Sequence, residues 1–158
     1  MPRILCFLLP ATLLATPAAA QSVLVPADSA EVANHAVTGM EYARFAAVVA
    51  RMDSAFAADP DAFRGMERKV DGRVSLGEVA AWYESSAAMR AALAPERMTA
   101  REFLRAAVAL LDALHAAEMS DAEIDALPAP QRGNARLAGG RVDELERFFG
   151  ILRTVIRE

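Results

Sequence analysis

The chain has 158 residues, 54% of them hydrophobic, and its 17 basic and 21 acidic residues give a formal net charge of −4. This length is sufficient for one domain with a substantial hydrophobic core. A mildly acidic chain with no basic run longer than two residues is unsuited to binding nucleic acid, and anionic membrane surfaces are disfavoured for the same reason. We therefore expect no nucleic-acid partner.

Residues 1–20 have the features of a secretory signal peptide. Arg3 supplies the early positive charge, a short apolar stretch follows, and the alanines at 18–20 provide the small side chains that signal peptidase requires. We expect cleavage before Gln21 and an exported protein, periplasmic or secreted. The alternative, an uncleaved membrane anchor, is disfavoured because the apolar stretch is short for a bilayer. The single cysteine, Cys6, would leave with this segment.

A recurring helix-start pattern predicts an all-α protein. In a capping box Ser/Thr-x-x-Glu, the first side chain accepts from the amide of the fourth residue, and the glutamate reaches back to the first amide. The pattern occurs at residues 38–41, 75–78, 99–102 and 120–123, each time before an apolar-periodic segment. Ser85-Ser86 marks a further break. Residues 21–36 have no clear period, so we expect a poorly ordered leader before a helical domain at 37–158.

Three of the predicted helices are long, at about residues 39–58, 100–117 and 134–157. The predicted fold is therefore an all-α, single-domain helical bundle of three long helices plus shorter connecting helices. The middle helix is apolar over much of its circumference, so we expect it to be central. Its predicted buried face consists of Phe103, Leu104, Ala107, Val108, Leu111 and Leu114. Asn134 is expected to cap the last helix, which the Gly139-Gly140 pair weakens.

Residues 67–78 are similar to the second half of an EF-hand calcium loop. Asp71, Ser75 and Glu78 fall at ligand positions 5, 9 and 12, and a glycine occupies the turn position. The first half departs from the pattern, since Lys69 places a cation among the ligands. A turn followed by a capping-box helix accounts for the same residues more simply. Calcium binding is therefore kept as an alternative only.

A second metal candidate is formed by Asp112, His115 and Glu118. Steps of three residues place successive side chains at neighbouring positions on a helix surface. Di-iron bundles need a second copy of such a motif, which this chain lacks. A polar outer face, with a histidine favoured near a helix C-terminus, is the simpler interpretation. No cofactor is predicted, and a transition metal at this site is the alternative.

The end of the last predicted helix is apolar on more than one face. The residues concerned are Leu145, Phe148, Phe149, Leu152, Val155 and Ile156. A bundle helix usually buries one stripe, so an exposed remainder would favour a homodimer or another protein partner through the C-terminal helix. In the alternative, the preceding short helices or residues 22–36 cover this surface.

The order of caps and breaks resembles that of small exported all-helical bacterial proteins of unknown function. The resemblance rests on the helix starts at 38–41, 75–78 and 99–103, the Asp59-Pro60 break and the entry at 130–134 into the last helix. It covers most of the chain after residue 20 and implies no activity, while Arg136 and the glycine pair depart from it. No nucleophile motif is present. The predicted function is a non-catalytic interaction or accessory module, and a metal-binding protein or metal-dependent enzyme is the alternative.

Overall fold

The computed structural model describes residues 24–66 and 72–157. The predicted signal peptide and Asp71 lie outside the described residues. Within them the chain forms eight α-helices: α1 Pro26–Ala33, α2 Gly39–Ala58, α3 Leu76–Ser85, α4 Ala87–Leu93, α5 Ala100–Ala116, α6 Asp121–Ala126, α7 Ala129–Gly139 and α8 Val142–Arg157. The described part has no β-strand, only an isolated bridge between Leu24 and Val74. The all-helical class is confirmed.

The predicted helix starts are present, and they arise from local hydrogen bonds. Thr38, Ser75, Thr99 and Ser120 each accept from the amide of the glutamate three residues later. In the last three boxes the glutamate carboxylate also accepts from the backbone amide of the cap, at 2.8–2.9 Å. These bonds with Thr99 lower the pKa of Glu102. The break at Ser85-Ser86 is confirmed as well, since Ser86 caps α4.

The central helix is α5, as the apolar sequence predicts. It packs against α1, α2, α3, α7 and α8. Most of its buried side chains are alanines, together with Phe103, Leu104 and Leu110. Small side chains let neighbouring helices approach closely, so α5 can sit among several partners at once.

The predicted orientation of α5 is corrected by the structure. Leu110 is fully buried, whereas Leu111 and Leu114 are only partly buried at the edge of the core. The buried face is centred on alanines such as Ala106 and Ala113, which recur at helical spacing with Leu110. The predicted face is therefore right at Phe103, Leu104 and Ala107, which are buried, and wrong about the full burial of Val108, Leu111 and Leu114.

The predicted last helix at 134–157 is in fact two helices, α7 and α8, separated by the turn at Gly140 and Arg141. Asn134 lies inside α7, where it is buried, and does not cap a helix. The two helices run in different directions because α7 packs mainly on α5, whereas α8 packs mainly on α2. The glycine pair is the point of weakest helix propensity, and the chain bends there.

The N-terminal region also differs from the expectation of a poorly ordered leader. Residues 26–33 form α1, which packs on α5, and the side chains of Leu24 and Val32 join the main core. Only a few apolar side chains anchor this segment, which explains the absence of a sequence period. Its remaining contacts are polar and are made with distant parts of the chain.

The assignment of the α5 face can be tested by paired substitutions. Leu110→Ala is expected to lower the free energy of unfolding by about 2–5 kcal/mol, because it leaves a cavity in the core. Leu111→Ala is the matched control and is expected to cost about 1 kcal/mol, because its side chain is already partly exposed. Urea unfolding measures both values. A larger loss for Leu111→Ala would show that the face is assigned wrongly.

Candidate functional site

Only part of the calcium-loop candidate lies within the described residues, which do not include Asp71. The other two candidate ligands, Ser75 and Glu78, form the capping box of α3. One carboxylate oxygen of Glu78, Oε2, accepts from the Ser75 amide and from its hydroxyl, both at 2.9 Å. This carboxylate oxygen is thus used to begin a helix.

The structure does not bring Asp112, His115 and Glu118 together as a ligand set. Among the described residues, no three His, Cys, Asp or Glu side chains form a group able to hold a metal ion. The helix ends at Ala116, so Glu118 follows it in a turn and is exposed. His115 Nδ1 lies 2.8 Å from the carbonyl oxygen of Leu111, one helical turn earlier. This contact fixes the imidazole against its own helix.

The candidate interface residues of the last helix are in the core. Phe148, Phe149, Leu152, Val155 and Ile156 are each at most 5% exposed, and Leu145 is fully buried. The Phe45 ring of α2 packs on two of them, with centroid distances of 6.2 Å to Phe148 and 6.3 Å to Phe149. The apolar surface that suggested a partner is thus covered mainly by α2 and not by the short helices or the leader.

The structure instead brings together six ionisable side chains that join α1, the start of α2 and α5. We call this group the N-terminal ionic cluster; its members are Asp28, Glu31, His35, Glu41, Arg101 and Arg105. One guanidinium nitrogen of Arg101, Nη2, lies 3.0 Å from Asp28 Oδ1 and 2.5 Å from Glu31 Oε2. Hydrogen bonds to Glu31 and Asp28 raise the pKa of Arg101.

The same cluster continues along α5 towards α2. Arg105 lies 3.3 Å from Glu31 Oε1 and 3.8 Å from Glu41 Oε1. His35 Nε2 lies 2.9 and 3.0 Å from the two carboxylate oxygens of Glu41. This explains why the box at Thr38 differs from the others: Glu41 turns towards the histidine rather than back to the cap. Through these ion pairs and hydrogen bonds, the cluster links α1 and the start of α2 to α5.

Asp28 is the most buried member of the cluster, with 7% of its surface exposed. Its Oδ2 accepts from the backbone amide of Leu76 at 2.6 Å, and its Oδ1 faces Arg101. Leu76 is the first residue of α3, whose amide has no partner inside the helix. One carboxylate therefore connects α1 with the start of α3 and with α5.

A second polar contact, which is partly buried, lies where α2 meets α8. The Tyr42 hydroxyl donates to Glu144 Oε2 at 2.6 Å, and the Arg141 guanidinium lies 5.0 Å from the centre of the Tyr42 ring. Burial is the main cause that raises the pKa of Tyr42, and the hydrogen bond to Glu144 raises it further. The phenol therefore stays neutral and donates this hydrogen bond. A shallow depression of about 400 Å³ lies beside this pair, lined by residues 139–144.

Asn134 provides the clearest example of a residue whose role the sequence did not reveal. Its Oδ1 accepts from the amide of Val37, and its Nδ2 donates to the carbonyl of His35, both at 2.8 Å. It thereby holds the segment between α1 and α2 against α7. No sequence pattern links groups almost a hundred residues apart.

The comparisons with known proteins assign no family to this site. No protein-family model, curated protein or solved structure matches the chain. None of the described helices combines the length and apolar character needed to cross a membrane.

The role of Asn134 can be tested against a second asparagine. Asn134→Ala is expected to lower the free energy of unfolding by about 1–3 kcal/mol, because the Val37 amide and His35 carbonyl lose their partners. Asn34→Ala is the control, since the exposed Asn34 side chain donates to the carbonyl of Ala30 in its own helix. Its expected cost is below about 0.5 kcal/mol. Chemical denaturation compares them, and similar costs would contradict the bridging role.

Proposed function

We propose that the protein is an exported, non-catalytic helical module that acts by binding another protein, in the periplasm or outside the cell. The main support for this proposal is that the ionisable side chains of the candidate sites make structural contacts. Glu78 caps a helix, His115 binds its own helix, and the N-terminal ionic cluster joins three helices. The groups best suited to chemistry thus have structural partners in the described fold.

The charge and shape of the chain support a protein partner. Without residues 1–20, and therefore without Arg3, the chain has 16 basic and 21 acidic residues, a net charge of −5. Such a charge repels nucleic acid and anionic lipid. We also infer that the three longest helices, α2, α5 and α8, are the frame of a single bundle with the shorter helices in the crossovers. A rigid frame of this kind presents helix surfaces well to a partner.

The experiment that tests this proposal uses the protein as a cell exports it. Protein isolated from the extracytoplasmic fraction is expected to begin at Gln21, and elemental analysis is expected to find no stoichiometric metal. Its melting temperature is expected to be unchanged by EDTA, Ca²⁺, Zn²⁺ or Fe²⁺, because a metal that binds the native state would raise it.

Two outcomes would contradict the proposal. A product that begins at Met1 or Pro2 would exclude cleavage and export. A melting temperature raised by several degrees by one metal, and no longer raised in Glu78→Gln or His115→Ala, would favour the metal-binding alternative. Glu78→Gln is a mild change, because glutamine also serves as the fourth residue of a capping box.

A further inference from the structure

The buried stripes of α7 and α8 stay in phase through the turn that separates them. Ala138, Val142, Leu145, Phe149, Leu152 and Ile156 follow one another at steps of three or four residues. Five of them are buried, and Val142, at the start of α8, is half-buried. If the turn were helical, residues 129–157 would form one helix with one continuous apolar stripe.

Within this turn, Gly140 lies in a right-handed conformation near that of a helix. Gly140 has φ −81° and ψ 1°, and the Arg141 amide donates to the Ala138 carbonyl at 2.8 Å. Among the described residues, positive φ angles occur elsewhere and not in this turn. A Cβ placed on Gly140 would meet no atom within 4 Å. At Gly140, straightening therefore needs ψ to fall by about 40° to the helical value. No residue of the turn has to leave a left-handed conformation.

Straightening would carry α8 away from the rest of its own chain. The aromatic and aliphatic stripe of α8 would then be exposed, and so would the part of α2 around Phe45 that it covers. Exposing both surfaces in a single copy is unfavourable. A second straightened copy covers both surfaces: its α2 packs on the exposed α8, and its α8 packs on the exposed α2. The side chains in contact are the same as in the single copy.

We propose that two copies of this chain form a dimer by exchanging α8. In that dimer α7 and α8 are one helix, about 43 Å long at 1.5 Å per residue. Each α8 packs on α2 and α5 of the other copy and repeats the contacts of Phe45 with Phe148 and Phe149 and of Tyr42 with Glu144. The partner is a second copy because these contacts select this sequence. The proposal is independent of the function proposed above.

The first test uses Gly140→Ala. The mature chain is refolded at ten to several hundred micromolar, and its dimer dissociation constant is measured by sedimentation. Alanine is favoured over glycine inside a helix by roughly five-fold, so two chains should lower the dissociation constant by roughly 25-fold. The closed monomer is unaffected, since alanine adopts the Gly140 backbone angles and has room there. If wild type and Gly140→Ala both stay monomeric throughout, the proposal is wrong.

The matched variant with the opposite effect is Val142→Pro. Proline is tolerated at the first position of α8, but it breaks a continuous helix. The dimer is expected to disappear while circular dichroism shows that the monomer keeps its helices. A dimer that Val142→Pro leaves intact would mean that the copies meet through another surface and would overturn the exchange.

A cross-linking measurement does not depend on either variant. The chain without residues 1–20 has no cysteine, so Tyr42→Cys and Glu144→Cys each introduce one thiol. The two proteins are refolded together and treated with a short bifunctional maleimide. Exchange predicts a covalent heterodimer in the dimer fraction, and none when monomers are refolded separately and then mixed. A dimer fraction without the heterodimer would contradict the exchange.

Discussion

The carboxylate of Asp28 is the contact on which the N-terminal half of this fold depends. A buried carboxylate is costly unless hydrogen bonds and an opposite charge replace its water. Here the amide of Leu76 and the guanidinium of Arg101 provide both, from positions 48 and 73 residues away. The pairing fixes α1, the entry into α3 and one end of α5 relative to each other. The few apolar contacts of α1 would not be sufficient for this.

The central helix imposes a different constraint, because five helices share its surface. Alanines on its buried face let them approach. Two arginines of its first two turns, Arg101 and Arg105, reach around the edge to the carboxylates of α1 and α2. Apolar packing and ion pairs therefore act on the same helix. This combination explains why the side chains of the N-terminal ionic cluster join helices to one another. It is also the basis for proposing a binding module rather than a catalyst.

What the sequence could predict was local. Helix starts at Ser75, Thr99 and Ser120 depend on residues three apart, so their patterns were read correctly. The buried face of α5 was predicted only in part: Leu111 and Leu114 lie at its edge, because alanine contributes little to an apolar period although it packs closely. The turn at Gly140 was visible as a weakness, but its direction depends on α2 and α5.

The candidate sites show the same difference between local contacts, which the sequence predicts, and long-range contacts, which it does not. The motif around Glu78 was correctly interpreted as a capping box because both of its partners are local. The polar contacts of Asp28 and Asn134 join residues far apart in the chain, so no spacing in the sequence announces them. The apolar residues of α8 were recognised as exceptional, and the structure uses them to fill the core next to Phe45.

The central claim, that Asp28 ties the N-terminal helix to α3 and α5, is tested most directly by amide hydrogen exchange. In Asp28→Ala, the Leu76 amide and the amides of α1 are expected to lose protection while those in the middle of α5 keep it, because only the tie is removed. Asp61→Ala, at an exposed carboxylate, serves as the control and should leave all of them unchanged. Unaltered protection of Leu76 and α1 in Asp28→Ala would contradict the account.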